Sequence, residues 1–549
     1  MSMKGNFDNT GKLVRFMLKR EVIISAVWIV ILVLFSVALA PGMSGMFDAA
    51  GRQQFAASFD NPVMIAMMGP VYGAGNYTEG AMYAGMMLIW VIITVGIMNI
   101  FLVVRHTRAD EEKGRAEVIR SLPVGRLSTL NATMITAVIV NVILGLLTGL
   151  GIAATGVANI GFAGSMLYGA VICVSGLVFA AITALFCQLS ASKSGAMGYS
   201  FLMLGVFYMV RAAGDMRGME ILSCVSPLGL AQRTQAYVGN YWWPVFVLLL
   251  EFVGIAAVAY RLNAIRDLDQ GFIPARPGKK EASPLLRSPF GLSFRLLRNT
   301  IFVWFILMFV MGASYGSVIP SINTFVGDSP EYLQILGMPA ALIETLSDAA
   351  KEEVVQTYFL SFVISMMTLL SIVPLLIAAL KPRNEEKDHR AEQVLARVVP
   401  RRKYLAGYTA LAYATSLLLP SAMAVGIYGS AAALAGDANP FTLGMLLKAN
   451  LVYLPAMWVM ISIAICLIGL LPKASGAIWG YFGFVCFASF MGEVIGLPEW
   501  LLSLAPLKHV SKVLLVDINY TPLIVMAAIA AVLTAVGFIF YRKRDMITA

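Results

Sequence analysis

Long apolar runs, separated by short polar segments, are the dominant pattern along this chain. An α-helix needs about 20 predominantly apolar residues to cross the hydrocarbon core of a membrane. Runs of this kind recur from Val22–Ala40 near the start to Tyr520–Tyr541 near the end. The ten runs between them are Ala81–Val104, two within Leu127–Ser192 that a turn near Gly156–Gly164 separates, Gly195–Val210, Tyr241–Tyr260, Ile301–Ile319, Val354–Leu380, Tyr404–Ile427, Ala449–Pro472 and Ala474–Met491. The pattern predicts an all-α integral membrane protein of about twelve transmembrane helices.

The charged residues are few, and their positions are asymmetric. Of the 549 residues only 13% are charged, whereas soluble domains have roughly a quarter. With the N-terminus inside and twelve crossings, all but eight of the 40 Lys and Arg residues fall on the inner side. This is the positive-inside bias of membrane proteins. The net charge of +10 therefore predicts cytoplasmic termini and no nucleic-acid partner.

The second half of the chain repeats landmarks of the first at a period near 275. A basic amphipathic stretch, typical of helices that lie in the membrane interface, precedes the first run at Leu13–Arg20 and the seventh at Phe294–Arg298. The long outer loops that follow each contain a proline with a glycine seven residues later, at Pro62 and Gly69 and at Pro330 and Gly337. Such order predicts two parallel six-helix repeats in a pseudo-dimer, with halves 1–265 and 291–549 and a cytoplasmic linker at 266–290.

The clearest landmark is a segment rich in acids and bases after the second and eighth runs. Charged pairs four residues apart stabilise an exposed helix, and Pro123 ends the first copy. The candidate docking residues are Glu111, Glu112, Arg115 and Glu117 in the first copy, and Glu385, Glu386, Arg390 and Glu392 in the second. The second copy has Asp388–His389 where the first has glycine, which indicates one inserted residue. Because acids contribute little to orientation, their recurrence favours two docking surfaces over two solvated loop helices.

These residues carry a resemblance to a known family. The segment Glu111–Ile119, followed by Leu122–Val124 and Arg126, resembles the cytoplasmic signature of ABC type-2 permeases. The fused arrangement of two halves resembles bacterial permeases that export polyketide antibiotics or multiple drugs. The resemblance implies that the two acidic segments are coupling helices, which dock in a cytoplasmic ATP-binding-cassette ATPase present in two copies. It also implies a bacterial inner or plasma membrane location, MgATP bound by the partner, and outward movement of hydrophobic drugs, antibiotics or lipid-like molecules.

No nucleotide-binding or metalloprotease motif occurs in the sequence. A GxxxxGK[ST] loop would be needed to hold nucleotide phosphates, and neither this loop nor HExxH is present. The three histidines are scattered and the five cysteines form no CxxC pair, so a metal site is not expected. The sequence predicts a transport subunit with no catalytic residue and no cofactor of its own.

Two features are candidates for a substrate path. Glu251 lies near the middle of an apolar run, where an ionisable residue is costly and commonly functional; it would attract a cation or form a structural hydrogen bond. Methionines adapt to bulky apolar ligands, although lipid-facing packing is the commoner role. The candidate methionines are Met86, Met87, Met366 and Met367.

Two other classes of function remain open at this point. Twelve spans in two parallel halves also describe proton-coupled secondary transporters. A membrane sensor or assembly partner that transports nothing is the third alternative.

Overall fold

In the computed structural model, the chain is helical throughout its described part. The structure describes residues 3–46, 49–57, 59, 62–267, 269–273, 281–322, 338, 348–397, 399–436, 439–491 and 498–545. Within these residues the only β pairing is an isolated parallel bridge between Ser190 and Ile273. In this described part of the chain, eleven helices are long and apolar enough to cross a membrane. The expected all-α integral membrane fold is confirmed.

The chain divides into two compact units, residues 1–278 and 279–549. The α-helices of the first unit are α1 (Thr10–Met46), α2 (Ala49–Ala57), α3 (Pro62–Met68), α4 (Glu79–His106), α5 (Arg108–Glu111), α6 (Arg115–Arg120), α7 (Ser128–Ala153), α8 (Phe162–Leu189), α9 (Lys193–Met216), α10 (Glu220–Cys224), α11 (Pro227–Gln232) and α12 (Trp243–Ile265). Two short 3₁₀ helices accompany them, Met3–Phe7 and Ala74–Asn76.

The second unit contains the remaining described helices. They are α13 (Pro289–Val318), α14 (Asp348–Lys387), α15 (Arg390–Leu395), α16 (Arg401–Ala435), α17 (Leu443–Leu451), α18 (Leu454–Leu470), α19 (Ala477–Met491), α20 (Glu499–Leu502) and α21 (Tyr520–Lys543). Its 3₁₀ helices are Pro284–Arg287, Ile319–Ser321, Pro472–Ala474 and Pro506–His509.

One helix lies at the centre of each unit. In the first unit, α8 packs against α4, α7, α9 and α12. In the second, α14 packs against α13, α16 and α18. Glycine pairs bring neighbouring helices close: a Cβ at Gly145 would lie 2.5 Å from the Gly169 carbonyl oxygen, and one at Gly469 would lie 2.4 Å from that of Gly537. Small residues of this kind allow close helix packing in membranes.

Two sequence expectations differ from the structure. The predicted eleventh run, Ala474–Met491, corresponds to α19, a helix of 15 residues. At 1.5 Å per residue this described helix is about 22 Å long, and residues 492–497 after it lie outside the described part. The basic stretches Leu13–Arg20 and Phe294–Arg298 form the first turns of the long helices α1 and α13, because no proline or glycine separates either stretch from the apolar run that follows it.

Some expectations concern residues outside the described part. Pro330 and Gly337 belong to this group, as does most of the polar core of the linker, residues 274–280. The first part of the linker, residues 269–273, lies against the first unit.

Candidate functional site

A helical hairpin follows the charged end of α4, and we call residues 107–122 the first hairpin. It consists of α5 and α6 and turns at Gly114, whose φ of 67° is the left-handed conformation that glycine adopts without strain. The backbone at Thr107 also departs from helical geometry, with φ −117° and ψ −95°. These two breaks fold the chain back beneath the spans. Burial lowers the pKa of the Arg120 guanidinium in α6, against the opposing effect of Glu111.

Glu111 lies inside this hairpin between two buried arginines. Its Oε2 is 2.6 Å from Nη1 of Arg108, and its Oε1 is 2.5 Å from Nη2 of Arg266 at the end of α12. Arg108, which is 1% exposed, also donates from Nε to the Cys187 carbonyl and from Nη2 to the Gln270 carbonyl. The cluster therefore fastens the hairpin to α8, to α12 and to the start of the linker. We call Arg108, Glu111 and Arg266 the first joint.

The second unit contains an equivalent joint. Glu386, with a side chain 2% exposed, lies 3.4 Å from Nη1 of Arg383 and 2.7 Å from Nη2 of Arg544, just after α21. Arg383 donates from Nε to the carbonyl of Pro472, as Arg108 does to that of Cys187. We call Arg383, Glu386 and Arg544 the second joint. It fastens the end of α14 to α21 and to the segment after α18.

The two hairpins correspond at their turns and joints, although α14 continues without a break to Lys387 where the first hairpin has the break at Thr107. The second hairpin, residues 382–397, turns at His389, whose φ of 55° is left-handed like that of Gly114. Three pairs with equivalent contacts are all 275 positions apart, namely Arg108 and Arg383, Glu111 and Glu386, and Gly114 and His389. The inserted residue expected from the sequence is therefore not required, since Glu111 corresponds to Glu386 and not to Glu385.

A second acidic residue supports each hairpin from within. Asp110 lies 2.6 Å from Nη1 of Arg20 in α1 and 3.2 Å from Nη1 of Arg115. Its counterpart Glu385 lies 3.1 Å from Nε of Arg390 and also pairs with the Lys381 ammonium at 3.0 Å. These contacts hold α5 against α6 in the first hairpin and the end of α14 against α15 in the second.

The candidate docking residues thus divide into two groups. Glu111, Glu385 and Glu386 are enclosed in ion pairs within their own unit. The residues that remain at the surface are Glu112, Arg115 and Glu117 in the first hairpin and Arg390 and Glu392 in the second. One Glu112 oxygen accepts a hydrogen bond from the Lys193 backbone N–H at the start of α9.

Sequence reasoning missed the basic half of each joint. Arg108 and Arg383 stand three residues before their acids, a spacing at which helical side chains meet. That spacing was a detectable signal. Arg266 is 155 residues away from Glu111 in sequence, and Arg544 is 158 away from Glu386. No local sequence pattern predicts contacts between residues that are so far apart in the sequence.

The N-terminal segment contacts the chain directly after the first hairpin. Leu127 N–H donates to the Asn6 carbonyl at 2.9 Å, and the Ser128 hydroxyl donates to the Asp8 carbonyl at 2.8 Å. The Asn9 side chain donates to the Pro123 carbonyl. We call residues 5–9 the N-terminal strap, because they hold the chain between the hairpin and α7 in place.

A cavity of about 350 Å³ opens beside the same end of the first unit. Trp28, Met98 and Phe101 contribute apolar surface to it, and Arg105 and Lys193 contribute basic groups. Its acid, Glu21, is 3% exposed and lies 2.9 Å from Nη1 of Arg105. The volume is within the range of pockets that hold small organic molecules. Among these cavity residues, the sequence pattern pointed only to Met98, which belongs to the methionines of the second run that could line a substrate pocket.

The predicted substrate residues lie apart from this cavity. Glu251 is half-buried in α12, and its Oε2 is buried without a hydrogen-bond partner among the described residues. Met86 and Met87 are half-buried in α4, and Met367 is packed in the core of the second unit. Met366 lines a separate cavity of about 190 Å³, together with Lys508 and Lys512.

Over the described part of the chain, no cluster of three potential metal ligands occurs among the His, Cys, Asp and Glu residues. The candidate site of the first unit is a cavity with both apolar and charged lining residues, next to a hairpin that buried ion pairs hold in place. The fold and these sites define a multi-pass α-helical membrane protein.

Comparison with known proteins identifies the class more closely. A family model described as Multidrug efflux system permease Rv1217c, C-terminal domain, matches residues 14–262 and 286–542. A curated relative, the multidrug efflux system permease protein Rv1217c of Mycobacterium tuberculosis (strain ATCC 25618 / H37Rv), is 32% identical over 547 residues. The alignment covers 98% of this chain and 96% of the relative. The chain therefore belongs to this family of multidrug efflux permeases.

Proposed function

We propose that this protein is the membrane permease of an ATP-binding-cassette exporter that moves hydrophobic drugs, antibiotics or lipid-like molecules outward. A separate cytoplasmic ATPase, in two copies, docks on the two hairpins and hydrolyses MgATP. The permease lies in a bacterial inner or plasma membrane with both termini cytoplasmic. Its halves are residues 1–265 and 291–549, joined by the linker 266–290.

The observation that carries this proposal is the repetition of one hairpin geometry, with its buried joint, in a multidrug efflux permease. A solvated loop has no need of a guanidinium and carboxylate cluster that is almost fully buried, since burying charges is costly unless they are paired. Two rigid hairpins on the side with the positive-inside bias are suited to receive force from a partner. Each joint would pass such a movement to the last span of its own half, α12 or α21.

The cavity beside the first hairpin supports the export of amphiphilic molecules. Its apolar side, formed by Trp28 and Phe101, suits a hydrophobic body. The basic groups of Arg105 and Lys193 suit a polar or anionic end. This position, near the cytoplasmic end of the spans, suits a molecule that enters from the inner leaflet.

The proposal is tested by purifying the tagged chain from its native host and identifying the proteins that accompany it. We expect a companion ATPase at about two copies per permease, and Mg-dependent ATP hydrolysis in the complex. Glu117→Lys and Glu392→Lys change exposed hairpin residues and should weaken the association. Lys12→Glu, a charge change of equal size on exposed residue 12 of α1, is the matched control. A pure permease that exports drugs without any ATPase would contradict the proposal.

One observation favours a second candidate, a proton-coupled transporter. Glu251 is an acid within a membrane span, and its buried Oε2 has no partner among the described residues. Groups of this kind carry protons in many transporters. In proteoliposomes this candidate predicts export driven by a proton gradient without ATP, abolished by Glu251→Gln. The ABC proposal predicts that export requires MgATP and the companion subunit.

A further inference from the structure

The cavity of about 190 Å³ in the second unit lies far from the second hairpin. Four of its lining residues belong to α14, between Phe362 and Leu369. They stand 14 to 21 positions before Arg383 of the second joint, which is roughly 20–30 Å along a helix. The hydrocarbon core of a membrane is about 30 Å thick. The cavity therefore lies close to the membrane surface opposite the hairpin, and we call it the distal cavity.

The lining of the distal cavity combines apolar walls with two bases. Phe362, Leu369 and Leu502 contribute apolar surface, and Lys508 and Lys512 contribute ammonium groups. No Asp or Glu occurs among the described residues that line it. Pockets with mostly apolar walls and a few placed polar groups are typical of small-molecule sites. This lining is complementary to a molecule with an apolar body and a negatively charged head.

The positive charge of the two lysines is only weakly compensated within the described part of the chain. Nζ of Lys508 lies 3.7 Å from Oε1 of Glu499, whose side chain is 94% exposed. A surface ion pair of this kind contributes little free energy. Lys512 forms no ion pair with a described acid, and Asp517, five positions later, is exposed and does not line the cavity. Both ammonium groups therefore remain available to an anion.

The corresponding segment of the first unit neutralises its base. An offset of 279 positions aligns Pro227–Leu228 with Pro506–Leu507, Glu220 with Glu499 and Arg233 with Lys512. In the first unit, Nη1 of Arg233 lies 2.8 Å from Oε1 of Glu220. In the second unit, Glu499 contacts Lys508 and leaves Lys512 at the cavity.

The same offset aligns Gly229 with Lys508. A Cβ at Gly229 would lie 2.1 Å from the Ser223 carbonyl oxygen, so the first unit has no room for a side chain at this position. The second unit has a lysine there, beside a cavity of about 190 Å³. The first unit packs this segment against itself, whereas the second opens it and adds a charge.

We propose that the distal cavity binds an amphiphile whose head is a phosphate or a carboxylate. The head lies between the ammonium groups of Lys508 and Lys512, and the apolar body lies against Phe362 and Leu369. In the proposed topology this is the outer side, where basic residues are fewer than on the inner side. The amphiphile is either an anionic phospholipid of the membrane or an anionic molecule on its way out. Its binding requires no ATPase.

The first test measures binding with a photoreactive probe. The full-length permease is placed in phosphatidylcholine nanodiscs and illuminated with dodecyl phosphate that carries a diazirine in its chain. Mass spectrometry of the peptides should show saturable labelling around α14 and residues 502–512, and the uncharged alcohol with the same diazirine should label them more weakly. Lys508→Gln and Lys512→Gln should each weaken apparent binding of the phosphate about fivefold, and the double variant at least about tenfold.

Matched variants separate charge from shape and from folding. Lys448→Gln removes an exposed base of the same unit outside the cavity lining and should bind the probe as the wild type does. Lys512→Arg keeps the charge and should retain binding. Ser489 lines the cavity and is exposed, so Ser489→Trp should block the cavity without changing its charge. All four lysine variants should keep the thermal unfolding midpoint of the wild type, because these lysines are exposed.

Two further measurements distinguish the sources of the amphiphile. Native mass spectrometry of the permease extracted from its own membrane would assign a lipid if an anionic phospholipid is retained by the wild type and lost from the double variant. Export of dodecyl phosphate by the complete transporter in proteoliposomes, lost in the double variant while phospholipid retention is unchanged, would assign a transported molecule.

The inference is overturned if the phosphate and the alcohol label the cavity equally. Unchanged labelling in the double variant would overturn it as well. Neither result depends on the proposed function, because the nanodisc measurement contains no ATPase. A permease that binds the phosphate at this cavity but recruits no ATPase would support the inference and contradict the proposed function alone.

Discussion

At the scale of single residues, the acids of the hairpins have two different roles. Glu386 lies between two arginines with its side chain 2% exposed, whereas Glu392 is exposed and contacts only His389 within its own hairpin among the described ion pairs. The sequence motif alone made both acids equal candidates for docking. Burial and the contacts with distant arginines are what separate an internal joint from a docking surface.

This difference predicts unequal costs of neutralising the two acids. Glu386→Gln removes the buried carboxylate that contacts both the Arg383 and the Arg544 guanidinium groups, and breaking a buried ion pair in this way costs about 3–5 kcal/mol. Glu392→Gln is the matched control and should change stability by less than about 0.5 kcal/mol. Thermal unfolding of the purified protein in detergent should show a clearly lower midpoint for Glu386→Gln alone. Equal midpoints for both variants would mean that the second joint adds no stability.

At the scale of elements, the apolar runs predicted about twelve spans, and eleven long apolar helices occur in the described part of the chain. Membrane spans are recognisable because each needs a long apolar sequence of its own, independent of its neighbours. The joints were not predictable, since Glu111 meets Arg266 only after six spans have packed together. The position of Glu251 and the methionines indicated a substrate path, yet the cavity formed around Trp28 and Arg105, because helix packing and not composition decides where space remains.

The N-terminal strap makes a prediction about one of these elements. A Cβ at Gly125 would lie 2.3 Å from the backbone carbonyl carbon of Asn6, so Gly125→Ala should push the strap away from the segment that connects the hairpin to α7. Hydrogen exchange of the Leu127 amide, which donates to the Asn6 carbonyl, should become faster. A slow Leu127 amide in the variant would show that the strap adapts without losing this bond.

Gly161→Ala is the control for this prediction. A Cβ at Gly161 meets no atom within 4 Å, and its φ of −77° is open to any residue. Exchange at Leu127 should therefore be unchanged. The comparison separates displacement of the strap from a general effect of adding a methyl group.

At the scale of the whole molecule, the two units share a frame and differ in detail. Each has a left-handed turn and a buried joint at equivalent positions, which fits a repeat with one common mechanical task. The cavities are different in the two units. A repeat that keeps its internal joints while its cavities diverge would allow one half to specialise in receiving substrate.

Specialisation of the first unit for substrate predicts that filling its cavity stops export. Ser25 lines the cavity and is buried. The larger side chain of Ser25→Phe would occupy part of the cavity volume of about 350 Å³ and narrow the space beside Trp28. We expect at least a tenfold loss of drug export, because a close-packed wall tolerates no overlap with a bulky ligand. Drug accumulation in cells and transport into inverted vesicles would measure it.

Ile23→Phe adds an aromatic ring to the same helix at a side chain that is 75% exposed, outside the cavity lining, and should leave export unchanged. The ATPase partner should still bind Ser25→Phe with the wild-type affinity, since the hairpins are untouched. Full export by Ser25→Phe would place the substrate path elsewhere, and the cavity that Met366 shares with Lys508 and Lys512 would become the next position to fill. Loss of export with intact ATPase binding would instead assign substrate entry to the first half, on the same side as its docking face.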